Sequence, residues 1–204
     1  MFTAAVEHGL LASSPMQNLR LPKAKSTPRS NFTRDEEEHF VEQAKQSQYW
    51  LIFAAMLYEG LRPGEAKALR PCDIKEKYIE VGQALNDFGE VDTTKTCNVR
   101  LVPIFDQFAQ LADQYRGQST SLIFPKADKH TANDDYREIC KALGIDKVMY
   151  TLRHTFATRC AEASISAKQV QLWMGHSDVE TTLKYYTHIS KEFEMANIES
   201  KSKS

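Results

Sequence analysis

The sequence lacks the features that mark several large classes of protein. Its four cysteines, Cys72, Cys97, Cys140 and Cys160, form no CxxC pair. This spacing predicts reduced thiols, and it argues against a disulfide framework or a zinc knuckle. The longest apolar stretch, residues 51–58, is far shorter than the roughly 20 residues of a membrane span. No basic segment opens the chain as in a secretory signal, so we expect a soluble, cytoplasmic protein with no membrane partner.

Glycine, proline and net charge are also scarce. Eight glycines and seven prolines among 204 residues exclude a low-complexity or collagen-like chain. The formal net charge is −1, so any DNA-binding surface has to come from local clustering. One cluster stands out between residues 19 and 34, which include no acidic residue and five basic ones, Arg20, Lys23, Lys25, Arg29 and Arg34. Both a solvated tail and a basic strap on a phosphate backbone fit this segment.

The pattern of apolar residues predicts an α+β domain that is mainly helical. A capping box at Thr33 opens the first helix of the folded part, and a second helix runs from residue 49 to 59, before Gly60. Alternation predicts strands at residues 78–81 and 100–104, within a small antiparallel sheet of about three strands. Further helices are predicted at residues 64–69, 105–115, 132–143, 153–163, 166–174 and 179–186.

Three polar residues occupy positions at helix ends where chemistry is common. Arg62 precedes Pro63 at a helix-to-helix corner, Arg153 opens a helix, and His176 follows Gly175 at a helix end. A guanidinium group is planar and permanently charged, so two such arginines can hold one phosphate. Taken singly, each arginine fits a surface ion pair equally well, and a lone histidine fits a structural hydrogen bond. For Arg62, the ion-pair partner would be Glu65.

Other catalytic arrangements are not indicated. The histidines show no HExxH or comparable spacing with carboxylates, which argues against a metal site. His154 and Cys160 are six residues apart on one predicted helix and do not face each other. The sequence also has no GxSxG elbow and no Walker-type GxxxxGK[ST] loop, which argues against esterase and nucleotide-hydrolase chemistry.

In combination, these segments resemble the tyrosine recombinase family over residues 33–188. Residues 60–65 resemble its G-x-R-x-x-E box, residues 152–158 its Leu-Arg-His-Thr-Phe-Ala-Thr stretch, and residues 175–177 its Gly-His-Ser box. Tyr186 stands ten residues after the histidine and directly before Thr-His. The resemblance implies a catalytic set of Arg62, Lys95, Tyr150, Arg153, His176 and the nucleophile Tyr186. Glu65 would orient neighbouring groups of this set. Tyr185 remains the alternative nucleophile.

One position departs from the family pattern. The family has His-x-x-Arg at the second arginine, and here Tyr150 occupies the place of that histidine. A phenol can hydrogen-bond a phosphate oxygen but cannot carry positive charge. We expect Tyr150 to play a supporting role and activity to survive. This departure also keeps open a catalytically degenerate DNA-binding module, beside a second alternative with type IB topoisomerase-like activity.

The resemblance implies a site-specific recombinase that integrates or excises a mobile element through a 3′-phosphotyrosyl intermediate. It implies no metal and no ATP. The expected partners are double-stranded DNA at attachment sites, copies of the chain that form a homotetramer on DNA and are monomers when free, and an accessory DNA-bending protein. The expected location is the cytoplasm of a prokaryote, on the nucleoid during the reaction.

The resemblance also implies a division of the chain. Residues 1–18 would be the end of an N-terminal core-binding domain, and residues 19–32 a basic linker. In that linker Arg20, Lys23, Lys25 and Arg29 would contact DNA. Residues 33–188 would form the catalytic domain. Residues 189–204 would form a tail that docks on a neighbouring protomer or on its own domain.

Overall fold

The computed structural model describes residues 2–15, 31–86, 91–93, 99–124, 131–176, 180 and 182–183. The helices are α1 (Phe2–Glu7), α2 (Arg34–Ala44), α3 (Trp50–Tyr58), α4 (Pro63–Lys67), α5 (Asp106–Tyr115), α6 (Ala132–Ala142), α7 (Thr151–Glu162) and α8 (Ala167–Met174). The strands are β1 (Tyr78–Val81), β2 (Gln83–Leu85), β3 (Val91–Thr93) and β4 (Arg100–Pro103). The predicted class, a mainly helical domain with a small antiparallel sheet, is confirmed.

Helix α3 forms the centre of the domain because its sequence is apolar on every side. All residues from 51 to 57 are buried, and α4, α5 and α7 pack against this helix. Phe40 of α2, Phe53 of α3 and Tyr136 of α6 add an aromatic cluster with ring centroids 5.4 to 6.0 Å apart. This core fixes the relative positions of α3, α4 and α7, the helices at whose ends the predicted arginines lie.

The folded part starts close to the predicted capping box. The Thr33 hydroxyl accepts from the Glu36 backbone N at 3.2 Å, and the Glu36 carboxylate accepts from the Thr33 backbone N at 2.8 Å. The two preceding residues also pack on the domain: Phe32 is buried, and Asn31 donates to the Thr158 hydroxyl at 2.5 Å. The ordered domain therefore includes residues that the sequence pattern placed at the end of the linker.

The sheet is divided into two antiparallel pairs of short strands. Strand β1 pairs with β4, and β2 pairs with β3. Only Gly82 separates β1 from β2, yet the partner position jumps from Arg100, opposite Val81, to Thr93, opposite Gln83. This jump in register interrupts the ladder, so the described residues form two pairs of short strands where one sheet of about three strands was predicted.

Two further observations concern the described part of the chain. Cys72, Cys140 and Cys160 are free thiols there, and Cys97 lies outside it. Among the helices of the same ranges, none combines the length and the apolar character that crossing a membrane requires.

Candidate functional site

Three arginines converge on the C-terminal end of α8. Gly175 caps this helix with a φ of 66°, and the carbonyl groups of a helix end have no partner inside the helix. Consecutive carbonyls accept from Arg100 Nε (Trp173 O, 2.7 Å), Arg153 Nη2 (Met174 O, 2.7 Å) and Arg62 Nη2 (Gly175 O, 2.5 Å). The negative end of the helix dipole favours these cations. Side chains from distant positions are thus gathered directly before His176.

Arg62 lies at the predicted corner between α3 and α4. The chain turns at Gly60, whose φ is 67° and where a Cβ would lie 2.4 Å from the ring of Phe156, so glycine is favoured. Arg62 has extended backbone angles and occupies the N-cap of α4, and Pro63 follows at the first helical position. Its side chain is 38% exposed, which makes it accessible to a ligand.

Glu65 lies between two arginines. Its carboxylate accepts hydrogen bonds from the Arg62 backbone N at 2.7 Å and from Arg62 Nη1 at 2.9 Å. Each carboxylate oxygen also accepts one hydrogen bond from Arg100, from Nη1 at 2.7 Å and from Nη2 at 2.6 Å. Burial alone would raise the pKa of Glu65, but the hydrogen bonds and charge of Arg100, and then those of Arg62, lower it to about 2. Glu65 is therefore ionised at neutral pH.

Arg153 is fully buried in the first turn of α7. Nη1 donates to Gly60 O and Nη2 to Met174 O, so this side chain joins the end of α3 to the end of α8. Its Nε is buried and has no hydrogen-bond partner in the described ranges. Burial, followed by the charge of Arg62, lowers the pKa of Arg153 to about 10. The guanidinium therefore stays charged at neutral pH and places a buried positive charge beside Arg62.

His176 follows the helix end, as the sequence predicted. Its Nδ1 lies 2.8 Å from the hydroxyl oxygen of Thr182, a fully buried residue. Burial, and then the charges of Arg153 and Arg62, lower the pKa of His176 to about 4. The imidazole is therefore neutral at neutral pH, and its contact with Thr182 orients the ring.

Tyr150, which stands where the family pattern has a histidine, occupies the N-cap of α7. Its ring meets the ring of His154 edge to face, with centroids 4.9 Å apart. Tyr150 also lies close enough to Arg153 to act on the pKa of that guanidinium. The phenol thus stands at the edge of the arginine cluster, where a hydroxyl can supply a hydrogen bond but no charge.

Several predicted site residues lie outside the described ranges. They are Lys95, Tyr186, the alternative nucleophile Tyr185, and the basic residues Arg20, Lys23, Lys25 and Arg29. The other predicted site residues come from three separate segments and meet at one corner of the domain; they are Arg62, Glu65, Tyr150, Arg153 and His176.

Two residues of this corner, Arg100 and Thr182, were not predicted from the sequence. A signal for Arg100 was available, because strand alternation places it on the same face of β4 as the buried Val102. An arginine on the buried face of a strand needs a partner, and that partner is Glu65. For Thr182, a threonine in a polar segment carries no comparable signal, since only the fold brings it to His176.

The chemistry of the corner is that of an anion site. Arg62 and Arg100 share the carboxylate of Glu65, and the buried guanidinium of Arg153 lies beside Arg62 and a neutral imidazole. Such a cluster suits the oxygens of a phosphate group. The described residues contain no group of three or more His, Cys, Asp or Glu side chains placed to hold a metal ion.

Comparison with known sequences identifies the family. The sequence model of the phage integrase family matches residues 30–192. The chain is 28% identical to the integrase of Staphylococcus phage L54a over 163 residues, which cover 66% of this chain and 46% of that protein. It is 30% identical to tyrosine recombinase XerD of Lacticaseibacillus casei over 157 residues, which cover 69% of this chain and 50% of the relative. The chain thus spans about half the length of these curated relatives.

Solved structures agree on the fold. The Tn1549 transposon integrase in complex with a circular intermediate DNA superposes with a TM-score of 0.67 at 23% identity, covering 96% of this chain and 75% of that one. The XerA recombinase gives a TM-score of 0.63 at 22% identity, covering 88% of this chain and 68% of that one. This chain therefore belongs to the phage integrase family, and its fold is that of a tyrosine recombinase catalytic domain.

Proposed function

We propose that this chain carries the catalytic centre of a site-specific DNA recombinase that integrates or excises a mobile element. One observation carries the proposal: Arg62 and Arg153 bind adjacent carbonyls of the residues directly before His176. Two arginines and an imidazole from separate segments are thereby held around one point. Surface ion pairs, the alternative explanation for each arginine taken singly, would not require this convergence.

The names of the relatives support the DNA substrate. They include a phage integrase and a tyrosine recombinase, and the transposon integrase of similar fold was solved with DNA. For this chain we propose double-stranded DNA with specific attachment sites as the substrate. We further propose that copies of the chain act together on DNA as a homotetramer.

The proposed reaction is an exchange of phosphodiester bonds. The phenol oxygen of Tyr186 attacks the scissile phosphorus, and the bond from phosphorus to the 5′ oxygen breaks. A 3′-phosphotyrosyl ester forms, and the 5′ oxygen takes up a proton from Lys95. The phenol proton passes to His176 or to water. Attack by a second strand's 5′ hydroxyl reverses the step and rejoins the DNA, so no ATP is needed.

The arginines supply the positive charge for this step. Negative charge gathers on the equatorial phosphate oxygens in the transition state, where fixed donors lower the barrier. Arg153 is held by two backbone carbonyls and Arg62 by Glu65 and Gly175, so neither side chain has to be ordered during the reaction. In this proposal they take the part that a metal ion takes in other strand-transfer enzymes, and the reaction requires no metal.

His176 acts as a neutral group in the proposal. With a pKa lowered to about 4, the ring is neutral but a weak base: it can donate one hydrogen bond to the phosphate, or its unprotonated nitrogen can accept the phenol proton, depending on the tautomer. Its contact with Thr182 sets the ring orientation for either role. Tyr150 donates a hydrogen bond from the edge of the cluster, beside Arg153.

Two further segments are proposed to act outside this corner, one on DNA and one between protomers. The basic residues Arg20, Lys23, Lys25 and Arg29 would follow the phosphate backbone as a strap between two halves of a clamp. Residues 189–204 would dock on a neighbouring protomer. Both proposals are tested by deletion: removing the strap would flatten the salt dependence of DNA binding, and removing the tail would weaken assembly on DNA.

A nicked suicide duplex tests the proposed chemistry. The substrate carries the attachment core from the ends of the element that encodes the protein, and the protein is the longest chain that its gene encodes. We expect a denaturation-resistant adduct that mass spectrometry assigns to Tyr186 and that is lost in Tyr186→Phe but kept in Tyr185→Phe. An adduct on Tyr185 would move the nucleophile by one residue. DNA binding without any adduct would refute the enzyme and favour a degenerate binding module, and relaxation of a plasmid without attachment sites would favour a topoisomerase.

A further inference from the structure

Arg100 has more contacts with the site than its position on a strand suggests. It opens β4, where it pairs with Val81. Its two terminal nitrogens donate to the two carboxylate oxygens of Glu65, and its Nε donates to Trp173 O. Its side chain also lies against Gly175, where a Cβ would stand 3.1 Å from the Arg100 Cδ. One side chain therefore joins β4, α4 and the end of α8.

A second arginine turn in the same domain shows what Arg100 adds. The Arg62 cap is the segment Arg62-Pro63-Gly64-Glu65, and the Arg70 cap is Arg70-Pro71-Cys72-Asp73. In each, the arginine stands at the N-cap, proline follows, and the acid in the fourth place accepts from the arginine backbone N. In the Arg70 cap the ion pair is closed on itself, because Arg70 Nε and Nη2 both donate to Asp73. Among the described residues, Asp73 pairs with no other arginine.

The charges of the two caps therefore differ. The Arg70 cap is a neutral pair of one guanidinium and one carboxylate. In the Arg62 cap the single carboxylate of Glu65 is shared by two guanidinium groups, so the group as a whole keeps one positive charge. Arg100 holds Glu65 through two hydrogen bonds, and the Arg62 side chain holds it through one. Arg62 is thus left with charge that its own acid does not neutralise.

The exposure of the two arginines decides which one meets a ligand. The Arg62 side chain is 38% exposed and that of Arg100 only 17%. Arg100 has its three guanidinium nitrogens directed to Glu65 and Trp173. It therefore acts through its neighbours, and Arg62 is the group that faces an incoming anion.

We propose that Arg100 is a positioning residue of the strand-transfer site: by pairing with both oxygens of Glu65, it neutralises that carboxylate, so that the Arg62 cap keeps a net positive charge for the DNA phosphate. The same contacts with Trp173 and Gly175 hold the segment that presents His176. This inference rests on the proposed recombinase function. If Arg100 acts through the charge of Glu65, removing the Glu65 charge should compensate for the loss of Arg100.

The test is a double-mutant cycle read by single-turnover adduct formation on the suicide duplex. We expect Arg100→Met to slow the step about ten- to hundredfold, less than the loss typical for a donor that touches the phosphate. Arg100→Lys, which keeps one charge, should lie between the parent and Arg100→Met. In the double variant Arg100→Met/Glu65→Gln, Arg62 no longer faces a carboxylate, and we expect at least a tenfold recovery over Arg100→Met.

The matched control is the same cycle in the Arg70 cap. Arg70→Met and Arg70→Met/Asp73→Asn should leave the rate per folded molecule within about twofold of the parent, since the Arg70 cap has no contact with the described site. Circular dichroism and the unfolding midpoint of each variant report the folded fraction. If Arg100→Met does not fold, the comparison of Arg100→Lys with Arg100→Lys/Glu65→Gln asks the same question.

Two results would overturn the proposal while leaving the recombinase function standing. One is an unchanged rate in Arg100→Met, and the other is a double variant no faster than Arg100→Met. If the parent forms no adduct, the recombinase function fails, and binding of inorganic phosphate decides the Arg100 question by itself. Weaker phosphate binding in Arg100→Met that recovers in the double variant would support the charge claim. Equal binding in all variants, or none in the parent, would overturn it.

Discussion

The two arginine caps share a sequence pattern and differ in their surroundings. Arg62-Pro63-Gly64-Glu65 and Arg70-Pro71-Cys72-Asp73 build the same turn, with the acid closing on the arginine backbone. In the Arg70 cap, the side chain of Asp73 forms hydrogen bonds only with Arg70 and Cys72 among the described residues. In the Arg62 cap, Arg100 also donates to Glu65, and the Gly175 carbonyl at the end of α8 accepts from Arg62 Nη2. The same local motif is thus a structural turn in one place and part of the proposed phosphate site in the other.

The difference shows how a cation is kept available inside a folded domain. An arginine paired with one acid and no further cation loses most of its attraction for a ligand, because the pair is neutral. A second arginine restores the charge without exposing another polar group. The helix end contributes as well, since its carbonyls hold the guanidinium groups in place and carry only partial negative charge.

The largest expected difference between the caps is in strand cleavage. Arg62→Met should lower the single-turnover rate of adduct formation about 10²- to 10³-fold, the typical loss for one preorganised donor. Arg70→Met should change it by less than about twofold. Both rates are measured on the suicide duplex at saturating protein. Comparable losses in the two variants would mean that the caps do not differ in function.

The order of the caps should reverse when stability is measured. Arg70→Met leaves the buried Asp73 without its charged partner, and we expect the free energy of unfolding to fall by about 2 kcal/mol. Arg62→Met should lower it by less than about 1 kcal/mol, because Arg100 still pairs with Glu65. Urea unfolding at pH 7 gives both values. A larger loss in Arg62→Met would contradict this assignment.

The helix end next to the Arg62 cap adds a pH dependence. Glu59 is buried, accepts from the Phe105 backbone N at 3.0 Å, and its other oxygen has no partner in the described ranges. Burial raises its pKa to about 9. A raised pKa means that the folded state binds the proton more tightly, so the stability from this group is complete below pH 4.5 and is lost as the pH rises towards 9.

Replacing Glu59 by glutamine tests whether the stability contributed by this residue falls as the pH rises. Glu59→Gln can still accept from the Phe105 backbone but cannot ionise. We expect the advantage of Glu59→Gln over the parent, in free energy of unfolding, to grow by about 4 kcal/mol between pH 5 and pH 8, because both pH values lie between the unfolded pKa of 4.5 and the folded pKa of about 9. Parallel stability curves over this range would show that the carboxyl ionises in the folded state without penalty.

The smallest effect on strand cleavage is expected at a cap without arginine. Thr33→Ala removes the hydroxyl that accepts from the Glu36 backbone at the start of α2. We expect a loss of about 1 kcal/mol in the free energy of unfolding, as for other N-cap threonines. The cleavage rate per folded molecule should not change. A reduced rate would indicate that any helix cap, and not the arginine pair, affects the site.

Local sequence patterns predicted much of the scaffold. The capping box at Thr33, the apolar run of α3 and the helix ends at Gly60 and Gly175 were identified, because each depends on residues within a few positions of one another. The division of the sheet was not predicted. It depends on the jump in register between Val81 and Gln83, and that jump is set by pairing with distant residues.

The site shows the same limit. The resemblance selected Arg62, Glu65, Arg153 and His176, and these residues do meet at one corner. Their roles in catalysis remain predictions. Arg100 was missed although strand alternation marks it, because an arginine on a buried face has meaning only once its partner is known. Thr182 was missed because nothing near it in the sequence shows that it will contact His176.

By itself, the sequence determined where helices begin and end, which face of each is apolar, and which residue types are available for phosphate chemistry. Those properties follow from short-range geometry and from the burial of apolar surface. Only the tertiary structure decided that Arg62 differs from Arg70, that Arg153 is buried, and that His176 is neutral. The reason is physical: charge and pKa depend on every group within a few ångströms, and folding brings those groups from far apart in the chain.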